Sequence, residues 1–386
     1  MSSVVTDEQQ LLRETVARVL ADRTGHRRRG ITQSRGHDEQ VWAQLCELGV
    51  VGVHLPEEVG GQGASLIDLA LVIEELGREV SDVPLLASAG LAAPAMLEAA
   101  DEEQRSRLLP SVAQGDRVAA LAWTPTSGVW DPRAVEVIAT PGGRAHHQVS
   151  GETSFVLAGA EADLLIVAAR APESRGEDGV SLLAVDANDP GVRVVPLQGL
   201  DLTRRQAKIT FERATAELLG EPGTGVSVLT RVLDQATALL TCEMVGGAQT
   251  VLDEAVAYAG TRQQFGRPIG SFQAVKHQCA DMLLDVESAR SAAQHAIEVA
   301  VEGHEEQELA VAVSVAKAWC SEAYPRSAAA GIQVHGGIGF TWEHDAHLYY
   351  RRAMASALLF GDARHHRSRL ARLLGLTAVE HASVPA

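Results

Sequence analysis

The sequence predicts an α+β chain in three parts. A helical N-terminal domain (residues 1–116) leads into a middle β-barrel or β-sandwich domain (117–222), and a C-terminal four-helix bundle (223–386) follows. Three observations predict this order. Apolar residues recur at helical spacing near both ends, short β-branched runs broken by Gly, Pro, Asp and Asn fill the middle, and no internal repeat or low-complexity linker interrupts them.

The elements follow in chain order. "TDEQQLLRETVARVLADR" opens on Thr6 as an N-cap and places Leu11, Leu12, Val16 and Val19 on one face. "PEEVGGQG" (Pro56 to Gly63) is a loop, because its clustered glycines break helix and strand alike. "SLIDLALVIEELGREV" (Ser65 to Val80) is a second helix, with Leu66, Leu69, Val72, Ile73 and Leu76 inward. In the middle, "VEVIAT", "DLLIVAAR", "VSLLAVD", "VRVVPL" and "AKITFE" read as strands. "GVSVLTRVLDQATALLTCEMVGGAQTVLDEAVAYAGTR" is long enough for a helix of more than thirty residues, and two further long helical stretches make an antiparallel bundle.

A formal net charge of −17 argues against binding along a nucleic-acid backbone, which needs clustered Lys and Arg. The one basic run, "RTGHRRRG" (Arg23 to Gly30), reads as a solvated loop. Cys46, Cys242, Cys279 and Cys320 are widely spaced without a CxxC pair, which suggests a reduced cytoplasmic protein. No window has the run of apolar residues that a signal peptide or a membrane span needs, so neither is expected. "GGIGF" follows a helix rather than a strand, so a Rossmann reading fails on context. The histidines of "HDAHLYY" and "ARHHR" lack Cys or carboxylate partners at ligand spacing and suggest no metal.

Two longer motifs carry a resemblance. "TRQQFGRPIGSFQAVKH" (Thr261 to His277) and "QVHGGIGFTWEH" (Gln333 to His344) are similar to the two C-terminal hallmarks of the acyl-CoA dehydrogenase family. "PEEVGGQG" and the α–β–α order agree, over essentially the whole chain. The resemblance implies FAD held in extended form across a subunit interface of a tetramer. It places Arg262, Phe265 and Gln273, with Gln333, Gly336 and Gly337, at the pyrophosphate and adenosine of a neighbouring subunit's FAD. A guanidinium suits a phosphate, and paired glycines let backbone approach a ligand closely.

The family reaction is α,β-dehydrogenation of an acyl-CoA thioester, and it requires a carboxylate as general base. Aligned on the resemblance, the usual Glu position holds Phe360, and the alternative position on the long helix holds Ala236. Two carboxylates stand nearby. Glu243 lies seven residues beyond Ala236 on the same helix face, about 10 Å farther along. It is either a displaced base or the partner of a buried cation, and its apolar neighbours favour pairing. Asp362 is either a base of shorter reach or the N-cap of "ARHHRSRLARLL". The family's flavin-binding β-segments also depart. Val129 and Trp130 replace a Gly-Ser pair, Phe155 stands for Trp, and Leu157 replaces a hydrogen-bonding Thr.

Elements that serve a neighbour's FAD are thus intact, whereas those that serve the chain's own are degraded. The reading that follows is the base-lacking subunit of a two-plus-two heterotetramer, whose sister chain supplies the Glu. Acyl-CoA is the substrate and an electron-transfer flavoprotein the acceptor. Two alternatives are a self-sufficient dehydrogenase with Glu243 or Asp362 as a relocated base, and a flavin monooxygenase or oxidase on the same fold.

Overall fold

The computed structural model describes residues 5–21, 37–142, 146–303 and 305–376, and the basic run at 23–30 lies outside them. The N-terminal region holds α1 (Asp7–Ala21), α2 (Glu39–Glu47), α3 (Leu66–Arg78), the short α4 (Leu85–Ala87), a π-turn (Ser88–Ala92), α5 (Ala93–Ala99) and α6 (Glu102–Ala113). Caps set their starts. Thr6 and Gln9 bond each other's backbone amides, and the Asp68 carboxylate accepts from the Ser65 amide and hydroxyl at 2.9 and 2.6 Å. Asp101 and Gln104 form the same reciprocal arrangement at α6. "PEEVGGQG" turns through a short 3₁₀ stretch, with Gly60 and Gly63 in the left-handed region.

Seven strands make the middle sheet: β1 (Ala119–Ala122), β2 (Ile138–Pro141), β3 (His147–Leu157), β4 (Leu164–Arg170), β5 (Val180–Asp186), β6 (Val192–Pro196) and β7 (Gln206–Leu218). The pairings β4–β5, β5–β7, β7–β3, β3–β2 and β2–β4 close a ring, with β1 beside β4 and β6 beside β7. Strand alternation serves two cores at once. Leu165, Val167 and Ala169 of β4 fill the barrel, whereas Leu164, Ile166 and Ala168 face the helices. This double burial is why "DLLIVAAR" reads as an unbroken apolar run.

The C-terminal region holds α7 (Gly225–Thr261), α8 (Gln273–Glu302), α9 (Glu306–His335), α10 (Ala346–Leu358) and α11 (Ala363–Leu373). Helix α9 packs on the other four, so the bundle is three long helices with α10 and α11 laid across one of them. Helices α3 and α7 meet backbone to backbone. A Cβ on Gly77 would lie 2.1 Å from the Glu243 carbonyl oxygen, and one on Gly246 would lie 2.0 Å from that of Glu74. No other residue type permits this approach.

A buried ion cluster joins the three regions. The Arg352 guanidinium on α10 lies 2.8 Å from Asp201 in the β6–β7 loop and 2.9 Å from Glu243 on α7. It also donates to the Ser81 carbonyl at 2.9 Å and the Thr203 carbonyl at 2.8 Å. Arg204 takes the same Glu243 oxygen and donates to Ser356 at 2.9 Å. Two acids and two bases therefore balance within the cluster.

A second buried cation holds the α10–α11 turn. Lys317 on α9 is fully buried, and its ammonium donates to Ser321 Oγ (2.9 Å), the Ala357 carbonyl (3.1 Å) and the Gly361 carbonyl (2.8 Å). Burial lowers its pKa to about 7.

Two predictions follow from these cations. Arg352→Met leaves buried carboxylates short of a partner, so it lowers the unfolding free energy in urea by about 3–5 kcal/mol. A change below about 1 kcal/mol contradicts the structural role. For Lys317, the native state binds fewer protons than the unfolded chain between its folded value of about 7 and the unfolded value near 10.4. Stability therefore rises with pH across that window, by up to about 1.4 kcal/mol per unit from this group. In Lys317→Met that component of the slope disappears, and parallel pH profiles for the two proteins contradict the assignment.

Candidate functional site

The turn between α10 and α11 carries Phe360 into the cleft between β-barrel and bundle. Phe360 and Gly361 both adopt positive φ, 59° and 103°. A Cβ on Gly361 would lie 2.5 Å from His365 Cδ2, so glycine is required there. Phe360 is not glycine and is held in a strained conformation by its surroundings. Its carbonyl accepts from His366 Nε2 at 3.0 Å, and the next carbonyl accepts from Lys317. The Phe360 side chain is 6 % exposed and offers nothing that takes a proton.

Neither candidate carboxylate stands free in this cleft. Asp362 N-caps α11, its Oδ1 accepting the His365 amide at 2.7 Å. Glu243 is buried between Arg204 and Arg352. Burial alone raises the pKa of a carboxyl, but the two guanidiniums outweigh it and hold Glu243 below its ordinary value. A carboxylate so stabilised is a weaker base. Ala236 is fully buried among core side chains on α7. Arg204, Arg352 and Lys317 went unread in the sequence, since their partners are remote. Glu243 and Arg352 are 109 residues apart, and only the folded chain brings them together.

The β-segments that border the cleft close it with aromatic rings. Trp130 lies 5.7 Å from Trp123, 6.3 Å from Phe155 and 5.8 Å from Phe360, meeting the last edge-on. Phe155 sits at a β3 irregularity with φ 59°. Val129 points outward, and Leu157 is buried. One cavity of about 440 Å³ is bordered by Trp123, Trp130, Asp234, Phe360 and Arg369. A second, of about 390 Å³, is bordered by Gly128, Trp130, Phe155, Gln206 and Leu359. Leu157, buried on β3, offers no side-chain donor to a ligand in this cleft.

The second group of sequence-identified residues lies at the other end of α7. Arg262 caps that helix, and a two-residue hairpin follows with Phe265 and Gly266 at its tip. Phe265 is 91 % exposed. The Arg262 guanidinium makes no ion pair among the described residues. Gln273 opens α8 on the surface, and Gln333, Gly336 and Gly337 are exposed where α9 ends. The structure brings both motifs to one end of the bundle: the Tyr258 ring on α7 stacks 4.6 Å from His335 on α9, and Gln278 Nε2 donates to the Ala330 carbonyl at 3.3 Å. A Cβ on Gly336 or Gly337 would meet nothing within 4 Å, so their backbone is open to a ligand. An unpaired guanidinium beside bare backbone suits a dinucleotide's phosphates. From Asp234 to Thr261, α7 spans roughly 40 Å at about 1.5 Å per residue. The cleft and this face therefore lie far apart along α7.

Among the described residues no group of His, Cys, Asp or Glu could hold a metal ion, and no helix is long and apolar enough to cross a membrane. Family models match both ends of the chain: acyl-CoA dehydrogenase, N-terminal domain, over residues 6–116, and acyl-CoA dehydrogenase, C-terminal domain, over residues 223–375. The acyl-CoA dehydrogenase IpdE2 of Mycobacterium tuberculosis is 35% identical, over 94% of this chain and 96% of that protein. Among solved structures, a variant of the Tcur3481–Tcur3483 steroid ACAD is similar at TM-score 0.86 and 31% identity, covering 97% of this chain and 99% of that one. The ChsE4–ChsE5 complex from Mycobacterium tuberculosis is similar at TM-score 0.87 and 27% identity, covering 98% of this chain and 100% of that one. The chain belongs to the acyl-CoA dehydrogenase family of oxidoreductases.

Proposed function

We propose that this chain is the base-lacking subunit of a two-plus-two acyl-CoA dehydrogenase, and that it completes the FAD site of a sister chain. The observation that carries the reading is the separation along α7. Phe360 fills the place of the catalytic carboxylate at one end, and an exposed Arg262, Gln333, Gly336 and Gly337 stand at the other. Those outward residues have no complete flavin cleft in their own chain to serve. Similarity to the ChsE4–ChsE5 complex, named for two different chains, supports a mixed assembly.

FAD held in such an assembly would supply the hydride acceptor for the acyl β-carbon, and the sister's Glu the base for the α-proton. This chain's part is to bind and orient. Arg262 neutralises the pyrophosphate, Gln273 and Gln333 supply hydrogen bonds, and Gly336 and Gly337 present backbone. Phe265, exposed at the hairpin tip, packs against the adenosine end of that FAD. The substrate is an acyl-CoA thioester, and likeness to a steroid ACAD supports a bulky one. An electron-transfer flavoprotein would be the electron acceptor of the assembly.

Engagement of both alternative carboxylates favours this reading over a relocated base. Glu243→Gln and Asp362→Asn are expected to retain turnover within a few-fold, measured per mole of folded assembly. Loss of kcat by about a hundred-fold or more in an intact assembly would make that residue the base. Arg262→Ala is expected to weaken FAD retention by the assembly at least about ten-fold, the worth of one charge-assisted contact, in a dialysis series. Unchanged retention contradicts the proposed grip.

A further inference from the structure

We propose that the rings of Tyr258, His335 and His344 set the placement of Arg262 relative to Gly336 and Gly337, and so are positioning residues for the dinucleotide face. The inference rests on the reading above for its ligand, whereas the ring contacts belong to the folded chain itself.

The two halves of that face come from different helices. Arg262 ends α7, and Gly336 follows the last residue of α9. Arg262, Gly336 and Gly337 are all exposed, so their alignment depends on what is packed beneath them. Tyr258 lies one turn before Arg262, and its carbonyl accepts the Arg262 amide at 2.8 Å. Its ring centroid lies 4.6 Å from that of His335, the residue just before Gly336. The His335 ring lies in turn 4.4 Å from that of His344. Both separations are short for aromatic pairs. One ring contact thus joins the residue that caps Arg262 to the residue that leads into the paired glycines.

Each imidazole is held by a hydrogen bond of its own. His335 is buried, and its Nδ1 donates to the Gly331 carbonyl at 2.8 Å, one turn back on α9. His344 Nδ1 accepts the amide of Ala346, the first residue of α10, at 3.0 Å. The 3₁₀ turn Gly336–Phe340 folds back on His335, for a Cβ on Gly339 would lie 3.0 Å from the His335 Cβ. Gly336 takes φ 67° and ψ −145°, a conformation essentially confined to glycine. The path of the turn is therefore set from where His335 sits. An aliphatic side chain at 258 or 335 would bury apolar surface equally, but it would not hold one plane against another.

Hydrogen–deuterium exchange on the full chain tests the ring contacts without any ligand. The Gly336 amide is bonded to α9 carbonyls and the Arg262 amide to Tyr258, so both report local opening. Tyr258→Leu is expected to speed exchange at Gly336, and His335→Leu at Arg262, each by at least about five-fold, the scale of one aromatic pair. Tyr258→Phe keeps the ring and stays within about two-fold of wild type. Amides of β4, in the barrel, are unchanged in all three. If His335→Leu does not fold, Tyr258→Leu against Tyr258→Phe decides. Equal exchange at Gly336 in those two variants overturns the proposal, as does acceleration spread evenly to β4.

In the assembly the same contacts are read as FAD retention. Tyr258→Leu is expected to weaken it by at least about five-fold alone, but by less than about two-fold beside Arg262→Ala, where no guanidinium is left to place. Equal weakening in both backgrounds assigns the rings to fold stability and overturns their positioning role. An Arg262→Ala variant without effect counts against the reading above and leaves the exchange result standing. A clear Arg262→Ala effect with a silent Tyr258→Leu sinks only the ring inference.

Discussion

The carboxylate of Glu243, held between Arg204 and Arg352, is the constraint on which the rest of the arrangement depends. It sits on α7 where Gly77 and Gly246 let α3 and α7 touch backbone to backbone, so its depth is set by helix packing. At that depth a lone carboxylate would be costly, and the two guanidiniums compensate it with Asp201 balancing the second positive charge. Because Arg352 comes from α10, Asp201 and Arg204 from the β6–β7 loop, and the Ser81 carbonyl from beyond α3, neutralising one buried charge also fixes how barrel and helices meet. The α10–α11 turn, and with it Phe360, follows from where α10 is pinned.

That geometry separates two kinds of surface. In the cleft, apolar and aromatic side chains stand at the aligned places of proton acceptor and flavin contacts, and nearby carboxylates are held in an ion cluster or a helix cap. At the far end of α7, polar side chains and bare backbone remain exposed with no partner in the described chain. A site that had merely decayed has no physical reason to lose its groups at one end of a helix and keep them at the other. An interface with a different chain supplies one, since the outward residues would then act on a ligand whose remaining contacts lie in the partner.

Much of this was legible in the sequence, for reasons that are local. The cap at Thr6, short apolar runs such as "VSLLAVD" and the length of the α7 stretch reflect the physics of single elements. The absence of a base at Phe360 was equally readable, since one side chain either takes a proton or does not. What could not be read is what depends on distant partners. The sequence reading left Glu243 open between base and ion pair. The choice depends on Arg352, which is 109 residues away and whose neighbours in sequence give no sign of burial. Lys317 lies in an alanine-rich helix that looks ordinary until Ala357 and Gly361 turn their carbonyls toward it. Trp130 is legible in sequence only as a replacement in a Gly-Ser pair, whereas its packing among Trp123, Phe155 and Phe360 needs three separate segments to converge.

The most direct measurement is the flavin content of this chain, purified alone and after co-expression with a Glu-bearing family member, by absorbance and mass. The account predicts a colourless protein alone and one FAD for each pair of unlike chains in the assembly. One FAD per chain in a homotetramer of this protein alone would contradict it.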